Sequence, residues 1–181
     1  MSNANFIIFL SLIFFSCYIN AAYTNDRFGE GEKQHYDNTC GISSFIHVMK
    51  DYNIVKSELE LIKEVGIKPE YSFLDLSNLA KKFNIKTIGV KISKKQLMKI
   101  KSPAILYINR LGKDHFVVLK GINNEWVQLY DPAWGTLNYT IPQFTRYWLQ
   151  DDNFGRALIF LKKTNINVDD DKIYKKFISI W

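Results

Sequence analysis

The sequence predicts a one-domain α+β protein, because helical patterns fill the first half of the chain and strand patterns fill the second. Its 181 residues are enough for a single domain with a real hydrophobic core. We find no internal repeat and no low-complexity linker in the sequence. We therefore expect helices packed on an antiparallel sheet, in a domain of about residues 24–163.

The predicted helices begin at recognisable residues. From Cys40 onward, apolar residues recur on one wide helical face: Ile42, Phe45, Ile46, Val48 and Met49. Three further starts carry the capping-box pattern, a serine followed three residues later by Glu, Asp or Gln: Ser57 with Glu60, Ser72 with Asp75, and Ser93 with Gln96. Gly66 is placed to end the second helix, because glycine is common just after a helix C-terminus.

Strand patterns dominate from residue 103 onward, where β-branched and aromatic residues alternate with turn signals. Asn123-Asn124 predicts a tight turn between two strands, which would then pair antiparallel. The predicted elements are strands at 103–108, 115–119 and 126–130, a helix starting at Thr140 and Pro142, and a strand at 157–161.

The two ends of the chain differ from its middle. An apolar run over residues 6–15 predicts a signal peptide of residues 1–22, cleaved near Ala22. Two alternatives are a lipoprotein signal ending before Cys17, which would become the lipid anchor, and a retained membrane anchor. All three place the domain outside the cytoplasm, in the periplasm or extracellular space, with membrane association through the N-terminus in the last two. Residues 164–181 form a C-terminal tail.

The chain has a net charge of +6, and eight lysines fall between Lys81 and Lys101. Such a run usually forms a solvated face, and the alternative is a surface that attracts acidic peptides or anionic lipid. Basic residues are not interleaved with aromatic ones in a nucleic-acid-binding motif, so we expect no nucleic-acid partner. No Cys/His cluster has zinc-ligand spacing, so we expect no metal or other cofactor.

Cys40 is the first candidate for chemistry. The only other cysteine is Cys17, so signal removal or lipidation would leave Cys40 without an intramolecular partner. A helix start gathers unpaired N–H groups and the positive end of the helix dipole, and both favour a thiolate. Gln34 lies six residues upstream, where its amide could hold the oxyanion formed by nucleophilic attack. The alternative is a small buried cysteine at a helix start.

A cysteine nucleophile needs a base, and the chain has three histidines. His115 opens a strand in the half that must pack against the first helix, which makes it the best candidate. His47 is seven residues beyond Cys40 on the same helix, roughly 10 Å away and too far to share a proton. His35 neighbours Gln34 and would compete for the same space.

Asp131 is the candidate to orient His115, because it ends the strand that returns antiparallel beside the histidine. A carboxylate bonded to an imidazole fixes its tautomer and stabilises the imidazolium. The alternative reading of Asp131 is a turn opener before Pro132. Asp114 is a poorer candidate, because neighbours on a strand point to opposite faces.

Three motifs together resemble the bacteriocin-processing, double-glycine cysteine peptidases: Gln34 before Cys40-Gly41, the strand His115-Phe116-Val117-Val118, and the turn Asp131-Pro132-Ala133-Trp134-Gly135. The resemblance covers about residues 34–161 and implies a papain-like α+β fold. It implies that Cys40 is the nucleophile and His115 the general base and acid. It also implies that Asp131 orients the histidine and that Gln34 is the oxyanion donor. The family cleaves leader peptides after a Gly-Gly pair, without metal.

The best-known relatives carry this peptidase on the cytoplasmic end of an ATP-driven exporter. This sequence has neither a further hydrophobic segment nor a phosphate-binding glycine loop, and free-standing exported members of the family are more similar to its layout. The expected function is an exported thiol peptidase that acts on a peptide or protein, with a glycine-rich segment as one candidate. The alternatives are a non-cleaving peptide-binding module that assists secretion or surface assembly, and a papain-like enzyme acting on cell-wall peptides.

Overall fold

The structure is a computed structural model that describes residues 33–161. The predicted signal segment and C-terminal tail lie outside the described residues. In chain order the elements are α1 (Cys40–Met49), a 3-10 turn (Lys50–Tyr52), α2 (Glu58–Val65), α3 (Phe73–Lys82), β1 (Lys86–Ile92), α4 (Lys94–Leu97), β2 (Ala104–Arg110), β3 (Lys113–Ile122), β4 (Trp126–Asp131), β5 (Gly135–Thr140), α5 (Ile141–Trp148) and β6 (Gly155–Leu161).

The strands form one six-stranded sheet in the order β1-β6-β2-β3-β4-β5. All neighbouring strands run antiparallel. The sheet has a hydrophobic core on each face. One core lies against α1, α2 and α3, and the other against α4 and α5. The predicted α+β fold is therefore confirmed.

The predicted helix boundaries follow from local capping. The side chains of Ser57, Ser72, Ser93 and Thr140 each accept a backbone N–H three residues on, and each is part of a capping box. Gly66 ends α2 with a positive φ of 81°, a conformation that favours glycine. These boundaries depend on residues close in sequence, which explains why the sequence pattern could locate them.

Helix α1 packs on β3, and this contact sets the geometry of the site. Ile42, Phe45 and Val48 have no exposed surface, so α1 buries a continuous apolar face. Ser44 Oγ donates a hydrogen bond to the Phe116 carbonyl at 3.1 Å. A Cβ at Gly41 would lie 3.2 Å from the Phe116 ring, so glycine allows the helix start to approach the strand closely. The N-terminus of α1 is thereby held beside the first residues of β3.

Two strands were not predicted. β1 is half exposed and contains Gly89, and within the described residues it pairs only with β6. Ile88, Val90 and Ile92 do alternate along it, and the last two pack against the second core, but Gly89 and the surrounding lysines are also typical of a solvated segment. β5 does alternate, but it begins directly after the turn that follows Asp131, which hid its start. Among residues 33–161, no helix has the length and apolar character needed to cross a membrane.

Candidate active site

Cys40 is the first residue of α1 and is half-buried. Thr39 precedes it but makes no side-chain cap, because its hydroxyl donates instead to the Tyr36 carbonyl at 2.7 Å. The first turn of α1 contains no acidic residue. The sulfur therefore lies at the positive end of a ten-residue helix whose first N–H groups have no side-chain cap, a setting that stabilises negative charge.

His115 and Asp131 lie together on the β3–β4 hairpin. His115 Nε2 is 2.9 Å from Asp131 Oδ1, and the Asp131 side chain is only 1% exposed. The same carboxylate oxygen accepts the Ala133 backbone N–H at 2.8 Å, which holds the aspartate in place. With Val118 opposite Tyr130, the register continues with Asp131 opposite Val117, which makes Asp131 a diagonal neighbour of His115 on the same face. The spatial pairing expected from the sequence is therefore present.

The charged form of His115 is strongly favoured. Burial by itself would lower the pKa of His115, because it disfavours a charged ring. The hydrogen bond to Asp131 and the interaction with Cys40 outweigh burial and raise the pKa of His115 from its ordinary value of 6.5 to about 9. Since Nε2 faces Asp131, the other ring nitrogen, Nδ1, is left for Cys40. The ring thus connects the helix to the hairpin.

Gln34 lies beside this site but is turned toward its own loop. Its amide nitrogen donates to the carbonyls of Tyr36 at 2.8 Å and Asp37 at 3.2 Å. Its Oε1 is buried without a hydrogen-bond partner among the described residues. The Gln34 backbone N–H donates to the Pro132 carbonyl at 2.9 Å, which joins this loop to the turn after Asp131. The oxyanion role of Gln34 stays a prediction.

The other two histidines have separate surroundings. His35 Nδ1 lies 2.7 Å from Glu58 Oε2, and the His35 backbone N–H donates to the same oxygen at 2.9 Å. His47 is 7% exposed and stacks on Tyr130 with ring centroids 4.0 Å apart. Its Nε2 lies 2.9 Å from Lys120 Nζ. The preference for His115 over these two agrees with the geometry.

Asp114 accepts a hydrogen bond from the Asn109 amide at 2.8 Å, which accords with its expected orientation away from the site. Two residues that hold the site were not among the sequence-based candidates. Arg110 Nη1 lies 3.6 Å from Asp131 Oδ2, and Glu58 anchors the loop that carries Gln34. The strand pattern could have indicated Arg110, because side-chain alternation places it on the same face of the sheet as His115.

A cysteine at a helix N-terminus, packed on an antiparallel sheet that carries a His–Asp pair, is the arrangement that cysteine peptidases use. Residues 30–165 match the Peptidase C39 family, and the chain belongs to this family of cysteine peptidases. In the described range, no cluster of three or more His, Cys, Asp or Glu residues could hold a metal ion.

Particular relatives agree with this family assignment. The chain is 28% identical over 131 residues to the probable functional amyloid protease FapD of Pseudomonas aeruginosa, which covers 67% of this chain and 58% of FapD. The fold is similar to a double glycine motif protease from an AMS/PCAT transporter, solved in complex with the leader peptide, with a TM-score of 0.62, 24% identity and coverage of 74% of this chain and 95% of that chain.

A second solved structure with this fold is the peptidase domain of Streptococcus ComA, a bi-functional ABC transporter involved in a quorum sensing pathway. The TM-score is 0.63 at 20% identity, with 73% of this chain and 97% of that chain covered. The chain spans 58% of the length of the FapD relatives that it matches. The likeness to the solved structures establishes the fold, while the family match establishes the peptidase class.

Proposed function

We propose that this protein is an exported thiol peptidase that cleaves a peptide bond through Cys40, His115 and Asp131, with Gln34 as the oxyanion donor. The observation that supports it most is the position of the His115 ring, which bonds buried Asp131 on one side and interacts with Cys40 on the other. A non-cleaving peptide-binding module would need a groove, but it would have no use for a histidine held in the charged state.

The proposed reaction starts from a Cys40 thiolate paired with the His115 imidazolium. The thiolate attacks the substrate carbonyl, and the resulting oxyanion is stabilised by the Cys40 backbone N–H and the Gln34 amide. For this step the Gln34 amide must turn from the carbonyls of its own loop toward the substrate. His115 then gives its proton to the leaving amine, and water hydrolyses the acyl-enzyme with His115 as the base.

The substrate we infer is a polypeptide cut after a Gly-Gly pair. Support comes from the double glycine motif protease that was solved with its leader peptide. FapD is a probable functional amyloid protease, which supports a self-assembling polypeptide as the substrate class. The apolar run at residues 6–15 supports export, and it would place the active site on the opposite side of the membrane from exporter-linked relatives.

The test uses the purified full chain as wild type and as Cys40→Ala, each incubated with a peptide that contains Gly-Gly. A matched peptide with Ala-Ala at that position controls for sequence preference. We expect new termini after Gly-Gly with the wild type alone, identified by mass spectrometry. Gln34→Ala should lower the rate by about 10²–10³, the usual effect of losing one oxyanion donor.

Two results would contradict the proposal in different ways. Cleavage by Cys40→Ala at the wild-type rate would exclude the thiol mechanism. Wild-type cleavage at Ala-Ala as fast as at Gly-Gly would exclude the proposed specificity and leave the peptidase assignment intact. A wild-type protein that binds the Gly-Gly peptide without ever cutting it would favour the binding module.

A further inference from the structure

The two carboxylate oxygens of Asp131 have different surroundings. Oδ1 accepts hydrogen bonds from His115 Nε2 and from the Ala133 backbone N–H. Oδ2 is buried and accepts no hydrogen bond among the described residues. A buried carboxylate oxygen without compensation is costly. The cation near it is Arg110, whose Nη1 lies 3.6 Å from Oδ2.

Arg110 is held in this position by two further contacts. Its Nη1 donates to the Tyr139 hydroxyl at 3.0 Å, and its guanidinium lies 5.7 Å above the centroid of the Trp134 ring. Its side chain is 24% exposed, so the charge is partly shielded from water. Strand pairing places Ile108 opposite His115, and Arg110 lies two residues beyond Ile108. Arg110 therefore points to the same face of the sheet as His115.

These contacts produce a row of alternating charge. The groups that face one another are Cys40 from α1, His115 from β3, Asp131 from β4 and Arg110 from β2, with the neutral Tyr139 from β5 beyond them. In the proposed thiolate–imidazolium state the row carries two negative and two positive charges and is neutral overall. Without Arg110 the same state would carry one excess negative charge in a poorly solvated site.

We propose that Arg110 is a positioning residue of this peptidase, which acts through the second oxygen of Asp131 to hold the carboxylate against His115 and to balance the charge of the site. This inference rests on the proposed roles of Cys40, His115 and Asp131. Arg110 does not touch the reacting atoms in this account. It limits how strongly Asp131 attracts the proton of His115 and keeps the aspartate from turning its oxygens.

The positive charge of Arg110 determines the direction in which its removal shifts the pKa of His115. Removing a positive charge near the His115–Asp131 pair leaves the aspartate to attract the imidazolium more strongly, so the pKa of His115 should rise further above its ordinary value. In Arg110→Met we expect the high-pH limb of the pH–activity profile to move to higher pH by roughly 0.5–1 unit. A loss of packing alone would lower the rate without moving that limb.

The experiment compares the full-length wild type with Arg110→Met, Arg110→Lys and Lys113→Gln. Arg110→Lys keeps the charge, and Lys113→Gln removes an exposed charge opposite Arg110 in the β2–β3 pairing. The readouts are the His115 ring titration by NMR, the rate of Cys40 alkylation by iodoacetamide as a function of pH, and kcat/KM. We expect Arg110→Met to shift both pH profiles upward and to lower kcat/KM about tenfold. Arg110→Lys should recover most of both effects, and Lys113→Gln should match the wild type.

If Arg110→Met does not fold, Tyr139→Phe is the second variant, because it removes only the hydroxyl that orients the guanidinium. It should shift the same profiles in the same direction by a smaller amount. If Arg110→Met folds and its two pH profiles match those of the wild type, the inference is overturned. If Arg110→Met does not fold, wild-type pH profiles in Tyr139→Phe overturn it. The inference is also overturned if Arg110→Met and Arg110→Lys lose the same fraction of kcat/KM and neither pH profile shifts. The alkylation and NMR readouts need no substrate, so they test Arg110 even if the Gly-Gly peptide is not cleaved.

Discussion

The single residue that determines the electrostatics of the site is His115, because both of its partners favour the protonated ring. With a pKa of about 9, the ring is charged at neutral pH. In the proposed reaction, the proton required by the leaving amine is therefore already present before a substrate arrives. An imidazolium beside a cysteine also favours the nucleophilic form of the sulfur, which is the form needed for attack.

Replacing Asp131 by Asn should show how much of this effect comes from the carboxylate. The amide keeps the size of the side chain but removes its charge, so the pKa of His115 should fall from about 9 toward 6.5. The NMR titration of the His115 ring measures this fall directly. His35, which is bonded to Glu58, provides an internal control in the same spectrum. An unchanged His115 titration in Asp131→Asn would contradict the assignment of the hydrogen bond.

The same ring should make the stability of the fold depend on pH. The pKa of His115 is higher in the folded state than its ordinary value, so the charged ring stabilises the fold fully below about pH 6.5. That contribution should disappear as the pH rises through about 9. Urea unfolding of wild type and His115→Asn at pH 6 and pH 9.5 measures it, and titrating groups that do not interact with His115 cancel in the comparison. Equal pH dependence in the two proteins would exclude the contribution.

Among the elements, β6 shows how tightly the second core is packed. Gly155 begins β6, and a Cβ built there would lie 2.0 Å from the indole of Trp148 in α5. Trp148 has no exposed surface, and its Nε1 donates to the Arg156 carbonyl at 3.1 Å. The indole is therefore fixed both by packing and by a hydrogen bond, and it has little room to move away from β6.

Gly155→Ala should destabilise the protein by about 1–3 kcal/mol, because overpacking displaces either the indole or the strand. Gly89→Ala is the matched control, since a Cβ at Gly89 in β1 meets nothing within 4 Å. Thermal or urea unfolding measures both variants. We expect Gly89→Ala to have nearly the stability of the wild type, and Gly155→Ala to be less stable than both. If the two variants were equally stable, the close contact with Trp148 would not be a constraint on the fold.

The elements also divide into those that the sequence could predict and those that it could not. The helix starts at Ser57, Ser72, Ser93 and Thr140 could be predicted because each cap is formed by residues three apart. β1 was harder to predict, because Gly89 and the surrounding lysines obscure the alternation of its apolar residues and its pairing with β6 joins distant parts of the chain. Local chemistry therefore determines the ends of the helices, and tertiary contacts determine the edge of the sheet.

In the whole molecule, the candidate site is formed by two layers. Cys40 belongs to a helix on one face of the sheet, while His115 and Asp131 belong to the sheet itself. Their alignment depends on the contact between the start of α1 and Phe116, where Gly41 allows a close approach. A small movement of α1 relative to β3 would separate Cys40 from His115 without unfolding the domain.

Gly41→Ala should therefore reduce activity more than stability. The new Cβ would lie 3.2 Å from the Phe116 ring and 3.4 Å from Tyr71 Cβ, so α1 would shift by a few tenths of an ångström. Alanine also favours the helix by up to about 1 kcal/mol relative to glycine, which offsets the strain. We expect kcat/KM to fall at least about tenfold, since small misplacements of reacting groups are costly. Peptide cleavage and urea unfolding measured on the same preparation test this, and unchanged cleavage would contradict it.

How much of the candidate site could be predicted from the sequence differs between its residues. His115 and Asp131 could be paired because one short turn joins their strands, although the register shift between Leu119 and Gly121 could not be predicted from that turn. Arg110 was missed although strand alternation places it on the face of His115, because its 3.6 Å approach to the buried Oδ2 of Asp131 depends on the tertiary structure. The amide orientation of Gln34 could not be predicted either, because it depends on carbonyl groups of a loop without regular structure.

The hydrogen bond from the Gln34 N–H to the Pro132 carbonyl has a consequence for substrate engagement. It joins the loop of Gln34, the proposed oxyanion donor, to the turn after Asp131, the residue proposed to orient His115. A bound polypeptide that displaces one segment would also strain this hydrogen bond to the other. Recognition and turnover would then respond jointly to a poorly fitting substrate, so such substrates would be rejected by slow chemistry as well as by weak binding.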